Sequence, residues 1–199
     1  MLSSIHTPRA DQATPAVFLD RDGTINVENN YLYRVEDWEW IPGTKEAIRK
    51  FKQSGYKVVV VSNQAGIARG IFESSDVERL HTFVQQELAC IGTSIDAFYY
   101  CPHHPNYSGN CSCRKPAPGM LVQASLDLNL DLTRSWMIGD KLIDVQAGRA
   151  AGVQSMIVRT GYGVGEQECI GPETRVFDSL FYAAEFIATN EPCQEVAQT

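Results

Sequence analysis

Short runs of consecutive apolar residues recur along this chain, and each stops abruptly at a polar cluster. The runs at 16–19 and 58–61 lack the alternation of a half-exposed strand and predict strands buried on both faces, as in a parallel sheet; further strands are predicted at 95–100, 135–138 and 155–158. Helical spacing takes over between them. Ala47, Ile48 and Phe51 share one face behind Thr44, which reads as an N-cap, with Gly55 as the terminator. Ser75-Asp76-Val77-Glu78 is a capping-box pattern, and Val77, Leu80, Val84, Leu88 and Ile91 keep helical spacing on the inner face of the helix it opens. Pro118 suits the first turn of a helix reaching about Leu128, another runs from Lys141 to Ala151 and stops at Gly152, and a last one lies between Ser179 and Thr189. The stretches 25–32 and 36–40 have no clean period and predict a hairpin or flap over Asp20, with a turn at Pro42-Gly43. The glycine-rich segment 161–171 predicts a loop. Strands alternating with helices imply an α/β fold, a three-layer sandwich around a mostly parallel, Rossmann-like sheet. One domain over 16–189 is expected, with no large cap domain and with flexible tails at 1–15 and 190–199.

Composition narrows the function classes. The chain has 199 residues, 44% of them hydrophobic and 21% charged, as in an ordinary globular protein. Seventeen basic residues against 24 acidic ones give a net charge of -7, which argues against a nucleic-acid-coating surface. Any phosphate site must then be built locally from a few cations. No apolar run approaches the roughly 18–20 residues of a membrane span. Residues 1–15 are polar without the apolar core of a signal peptide, so no membrane partner and a cytoplasmic location are expected.

The chemistry lies where the strands end. Asp20 and Asp22 stand one residue apart just beyond an apolar run, followed by Gly23, where open α/β sheets hold their ligands. Two carboxylates so close favour a hard cation between them, although a solvated Asp-x-Asp-Gly turn is the plainer alternative. Ser62-Asn63, Arg114-Lys115, and Asp140 with Asp144 complete a set of polar clusters at strand ends or before a helix. Phosphoryl transfer needs a nucleophile, a proton shuttle, a divalent cation and cationic or hydrogen-bonding groups around the moving oxygens, and these clusters contain each type. Separately, Cys101, His103, Cys111 and Cys113 have the composition of a closed tetrahedral structural zinc site. Ordinary loop thiols are the alternative, and a disulfide between Cys111 and Cys113 would be strained by their closeness.

At Asp20-Arg21-Asp22-Gly23-Thr24, Ser62, Lys115 and Gly139-Asp140-x-x-x-Asp144 the sequence resembles the four motifs of the haloacid-dehalogenase (HAD) phosphatase superfamily. The resemblance implies a HAD-like fold in which Asp20 attacks phosphorus and Asp22 acts as acid and then base. It implies Mg²⁺ held by Asp20, the backbone carbonyl of Asp22 and Asp140, with Ser62 and Lys115 supporting the phosphoryl group and Asp144 orienting Lys115 or a metal-bound water. It favours His103 over His104 as the fourth ligand of a structural Zn²⁺ that pins the loop carrying Arg114 and Lys115. Zinc-loop members of the superfamily act on heptose 1,7-bisphosphate or on histidinol phosphate. The stretches 18–27, 62–70, 99–105, 113–116, 119–121 and 139–141 look like the heptose branch, over roughly residues 16 to 163. The short loop between His103 and Cys111 is closer to the histidinol branch.

For a heptose enzyme the resemblance implies removal of the 7-phosphate of a small-molecule sugar bisphosphate, in bacterial biosynthesis of lipopolysaccharide or surface glycan. The implied substrate contacts are Asp20, Arg21, Asp22, Glu28, Asn29, Asn30, Tyr31, Ser62, Asn63, Gln64, Ala65, Arg114, Lys115 and Lys141. Arg69 is a weaker candidate, since an exposed loop arginine is usually only solvated. A monomer is expected. The alternatives are a histidinol-phosphate phosphatase, a non-enzymatic zinc-stabilised binding module, and a DNA 3'-end phosphatase, against which the acidic charge balance counts.

Overall fold

The computed structural model describes residues 13–190. Six strands form one all-parallel sheet: β1 (Ala16–Leu19), β2 (Lys57–Asn63), β3 (Ala97–Cys101), β4 (Trp136–Gly139), β5 (Gln154–Val158) and β6 (Arg175–Phe177). Their order across the sheet is β3-β2-β1-β4-β5-β6. That is the doubly wound arrangement, whose strand order reverses between β1 and β4 and opens a crevice at their carboxyl ends.

Burial on both faces explains the unbroken apolar runs. Val17, Leu19, Val58, Val60, Ile138 and Val158 meet the helices α1 (Thr44–Gln53), α2 (Ser74–Ala89) and α7 (Leu180–Asn190) on one side. Phe18, Val59, Val61 and Met137 meet α4 (Gly119–Leu128) and α5 (Leu142–Ala150) on the other. All ten of these strand side chains are fully buried, each stabilising the fold by about 1.5–3 kcal/mol relative to exposure. Two single helical turns, α3 (Pro105–Ser108) and α6 (Gly163–Glu166), sit in the long connections.

Several expectations shift. The domain reaches two residues earlier than 16: the Thr14 amide donates to the Asn129 carbonyl and the Lys57 amide to that of Pro15. Residues 1–12 and 191–199, the bulk of the expected tails, lie outside the described residues. Thr44 is the first helical residue of α1 and its hydroxyl has no partner, while Gly43 takes the cap position at φ 81°. The box that opens α2 starts two residues earlier, at Glu73, whose amide donates to the Asp76 carboxylate. The loop over 161–171 contains α6 and a further 3-10 turn at Gln167–Cys169. The stretch 25–40 is a flap without strands, closed by an antiparallel bridge between Asn26 and Trp40. Its root packs on α2 through Trp38, 6.3 Å from Phe83.

Candidate active site

Asp20 follows β1 and Asp140 follows β4, so both stand at the crevice where the strand order reverses. Ser62 and Asn63 end β2 beside them. Their partner from a distant stretch of the same chain is Lys115. Its Nζ lies 2.8 Å from Asp20 Oδ1 and 2.7 Å from Asp144 Oδ1, and donates to the Val61 carbonyl at 2.8 Å. Burial disfavours this ammonium, but Asp144 and Asp20 outweigh the desolvation and lift its pKa above the ordinary lysine value. Asn63 fixes the backbone beneath it: the Asn63 amide donates to the Lys115 carbonyl at 3.0 Å, and its oxygen accepts from the Lys115 N–H at 3.0 Å. The segment carrying Lys115 is thereby stitched to the end of β2.

Asp22 is held differently. Arg21 Nη2 donates to Oδ1 at 2.9 Å, Asn26 to the same oxygen at 3.0 Å, and Gln64 to Oδ2 at 3.1 Å. Burial works to raise its pKa, but the Arg21 charge and these hydrogen bonds win and hold the carboxyl below the usual range. Arg21, expected among the substrate contacts, is 1% exposed and also donates to the Leu32 carbonyl at 2.9 Å. It clamps Asp22 and the flap together from beneath and does not line the cleft.

The carboxylates fit a divalent cation. Asp20, Asp140 and Asp144 offer oxygens within 4.8 Å of one another. Asp144 is already engaged, since its Oδ2 accepts from the Lys141 N–H at 3.0 Å and its Oδ1 faces Lys115. Asp140 Oδ1, by contrast, is buried without a partner, while its Oδ2 accepts from the Tyr162 N–H at 2.9 Å. The carboxylate of Asp22 lies outside this group, so any part it takes in holding a cation falls to its backbone carbonyl. Backbone crowds in around the orphan carboxylate: a Cβ on Gly23 (φ +85°) would fall 2.3 Å from Asp140 Oδ2, and one on Gly161 (φ +59°) 2.2 Å from it. Only glycine meets both demands there.

Burial, reinforced by Asp20, pushes the Asp140 pKa up to about 8. Burial likewise lifts Asp20 to about 6, with Lys115 opposing and Asp144 adding to the rise. A carboxyl with a raised folded pKa disfavours the ionised fold, so each group costs stability as pH climbs from its unfolded value of about 4 through its folded one. A cation removes that cost and competes with protons for the same oxygens. Mg²⁺ is therefore expected to raise the melting temperature more at pH 8.5 than at pH 6, as measured by thermal unfolding; an equal or reversed shift contradicts this account of the carboxylates.

A second donor set lies in the loop after β3. Cys113 Sγ is 3.1 Å from Cys101 Sγ, 3.3 Å from Cys111 Sγ and 3.4 Å from His103 Nδ1. Cys101 Sγ is 3.5 Å from Cys111 Sγ. Three sulfurs and one imidazole nitrogen around one point can hold a metal, and the set is that of closed tetrahedral sites. Burial raises the Cys101 thiol, whereas hydrogen bonds from Cys113 and neighbouring groups outweigh burial and bring Cys111 down to about 7. The loop carries little apolar packing of its own. Cys113→Ser is expected to empty the site and lower the melting temperature by about 5–10 °C, from a loss of roughly 2–3 kcal/mol. Metal analysis beside calorimetry checks this; full metal retention would remove Cys113 from the ligand set.

The cleft above these groups is about 360 Å³. Of the expected contacts, Asp20, Asp22, Glu28, Asn30, Tyr31, Asn63, Gln64, Ala65, Arg114, Lys115 and Lys141 line it. Asn29 does not, and neither does Ser62, which is 1% exposed with its Oγ accepting from Gln64 at 3.1 Å. Lys141 is paired with Glu28 at 3.0 Å and sits 4.5 Å over the Tyr162 ring. Arg69, His104, Ile143 and Tyr162 also line the cleft. In the sequence Arg69 is a weaker contact candidate and His104 the less favoured metal ligand; the meeting of three separate loops gives both a place in the cleft. No helix among the described residues is long and apolar enough to cross a membrane.

Known proteins resemble this chain in sequence and in fold. A family model described as HAD-hydrolase-like matches residues 112–181. The D-glycero-beta-D-manno-heptose-1,7-bisphosphate 7-phosphatase of Photorhabdus laumondii is 46% identical over 162 residues, covering 78% of this chain and 86% of its own. The protein of the same name from Escherichia coli K12 is 46% identical over 156 residues, covering 75% and 82%. Among solved structures, the D,D-heptose 1,7-bisphosphate phosphatase from B. bronchiseptica, complexed with magnesium and phosphate, gives a TM-score of 0.82 at 34% identity, covering 88% of this chain and 98% of that one.

Proposed function

The chain belongs to the D-glycero-beta-D-manno-heptose-1,7-bisphosphate 7-phosphatase family of HAD-like hydrolases, and on that footing we propose that it removes the 7-phosphate of heptose 1,7-bisphosphate through a phosphorylated Asp20. The observation that carries the reading is the placement of Asp20 in the cleft with one oxygen already fixed. Oδ1 takes the Lys115 ammonium at 2.8 Å, which leaves Oδ2 as the oxygen available to attack phosphorus. Asp22 enters the cycle ionised. The dianionic phosphate arriving beside it raises its proton affinity, so it takes up one proton from solvent as the substrate binds, delivers that proton to the leaving alkoxide, and afterwards withdraws one from the water that cleaves the acyl phosphate. Lys115, with its donors directed at Asp20, Asp144 and Val61, acts as a fixed charge beside the reacting oxygens. Ser62 accepts from Gln64 beneath the cleft, and its own hydroxyl proton remains available to donate to a phosphoryl oxygen that reaches it. A divalent cation, Mg²⁺ in this reading, held by Asp20, Asp140 and the Asp22 carbonyl, supplies charge neutralisation for the phosphate when bound.

Zn²⁺ is the metal we assign to Cys101, His103, Cys111 and Cys113, in a structural role. A cytoplasmic monomer serving the synthesis of activated heptose for lipopolysaccharide or surface glycan completes the reading. Its test is a panel of heptose 1,7-bisphosphate and histidinol phosphate, each with Mg²⁺. A specificity constant about 100-fold or more in favour of the heptose bisphosphate is expected. A preference for histidinol phosphate overturns the substrate, and hydrolysis of neither would revive the zinc-stabilised binding module.

A further inference from the structure

The guanidinium of Arg21 is 1% exposed, and its Nη1 has no hydrogen-bond partner. A buried ion pair contributes no more to most folds than apolar side chains of the same volume, and an unpaired N–H subtracts from it. Packing therefore gives no reason for an arginine here, and the reason lies in what it holds. Nε is 3.1 Å from Asp22 Oδ1 and 3.2 Å from Oδ2, and Nη2 donates to Oδ1 at 2.9 Å. The same Nη2 donates to the Leu32 carbonyl at 2.9 Å, which keeps the guanidinium plane from turning. Leu32 is itself buried, directly after Asn30 and Tyr31 of the flap, which line the cleft. His81 of α2 feels the same pair, yet burial first and the Arg21 charge second bring its pKa down to about 3. Its ring, stacked 4.3 Å from Phe98, stays neutral, and Arg21 is the permanent positive charge on Asp22.

The donors divide unequally between the two oxygens of Asp22. Oδ1 receives Arg21 Nε, Arg21 Nη2 and, at 3.0 Å, Asn26 Nδ2, which is three donors for the two lone pairs of one carboxylate oxygen. Oδ2 receives Gln64 Nε2 at 3.1 Å and only the longer arm of the shared Nε bond. Oδ1 is filled, and Oδ2 keeps room for a proton. Asp22 lines the cleft, so Oδ2 is the oxygen able to serve a leaving group there. Rotation of the carboxyl about its Cβ–Cγ bond would exchange the two oxygens, and the side-on fork of Arg21 opposes that rotation.

We propose that Arg21 is a positioning residue for proton transfer: by filling Oδ1 of Asp22 and locking it to the flap, it makes Oδ2 the oxygen that carries the proton. As the ester P–O bond breaks, its electron pair takes the proton from Oδ2 and Asp22 is left ionised. This rests on the reading of Asp22 as acid and base given above. The test measures kcat/KM of the Mg²⁺-loaded enzyme on heptose 1,7-bisphosphate, whose alkoxide needs a proton to leave, and on p-nitrophenyl phosphate, whose phenolate leaves without one. The variants are Arg21→Gln, Arg21→Lys, Asp22→Asn and the double variant Arg21→Gln with Asp22→Asn. Arg21→Gln is expected to lower the heptose-to-aryl ratio about 10- to 100-fold, with Arg21→Lys, which keeps the charge and loses the fork, recovering only part. In the Asp22→Asn background the same change should leave the ratio where it is. Equal loss on both substrates, no loss on either, or full recovery by Arg21→Lys overturns the proposal. So does an undiminished fall in the double variant, which would place the effect in flap binding, and so does failure of both single Arg21 variants to fold, which would make Arg21 a structural charge. If Asp22→Asn itself leaves the ratio intact, the acid reading fails first and takes this role with it.

Discussion

Asp20→Asn is expected to lower kcat by about 10⁴-fold or more without unfolding the protein. The amide is a poor nucleophile, yet its carbonyl oxygen can still accept from Lys115, which now approaches Asp20 Oδ1 at 2.8 Å. The substitution also removes one negative charge from a crowd that includes Asp140 and Asp144. Since burial already pushes Asp20 up to about 6, its ionised form is a cost to the cation-free fold at neutral pH and above. The variant should therefore melt at the same temperature as the parent or higher when Mg²⁺ is withheld. Loss of activity with a matching loss of stability would mean that Asp20 is a structural anion and not the attacking group.

Lys115→Met should damage both properties. The ammonium is 2% exposed and sits among Asp20, Asp144 and the Val61 carbonyl. Its removal leaves two buried carboxylates and a carbonyl without their donor, which costs about 3–5 kcal/mol. For a chain of this size that corresponds to a fall in melting temperature of roughly 6–20 °C. Loss of the charge beside the reacting oxygens should lower kcat by a further factor of about 10²–10³. Because the stability loss comes from unpaired carboxylates, it should shrink as acid protonates them. Asp144→Asn in the same background should recover part of it, and a Lys115→Met variant as stable as the parent at pH 8 would contradict this picture of the hub.

What the sequence carried about this site follows from where its information is local. A fully apolar strand ending in a polar cluster is readable in a handful of residues, so β1, β2 and β4 and the groups behind them, Asp20, Ser62 and Asp140, could be placed at one edge of a sheet. The three-residue β6 was missed because it pairs only with β5 at the sheet's edge and has no buried residue to mark it. Arg21 was misplaced because a charged side chain beside a catalytic motif reads as a contact, while its burial and its bond to Leu32 depend on a flap folding back over it. Arg69 and His104 were undervalued for the opposite reason: each is an unremarkable loop residue until three loops are brought together. The Asn63 clamp on the Lys115 backbone spans 52 positions and is invisible in any local pattern.

The central claim is that the phosphoryl group rests on Asp20 between its two transfers. Mixing the Mg²⁺-loaded enzyme with substrate labelled in the 7-phosphate, quenching in acid within one turnover and mapping the label by peptide mass spectrometry tests it most directly. The account predicts an acid-stable, hydroxylamine-labile phosphoryl group on the peptide containing Asp20. Turnover with no protein-bound label at any time in the cycle, or a label carried by another residue, would contradict it.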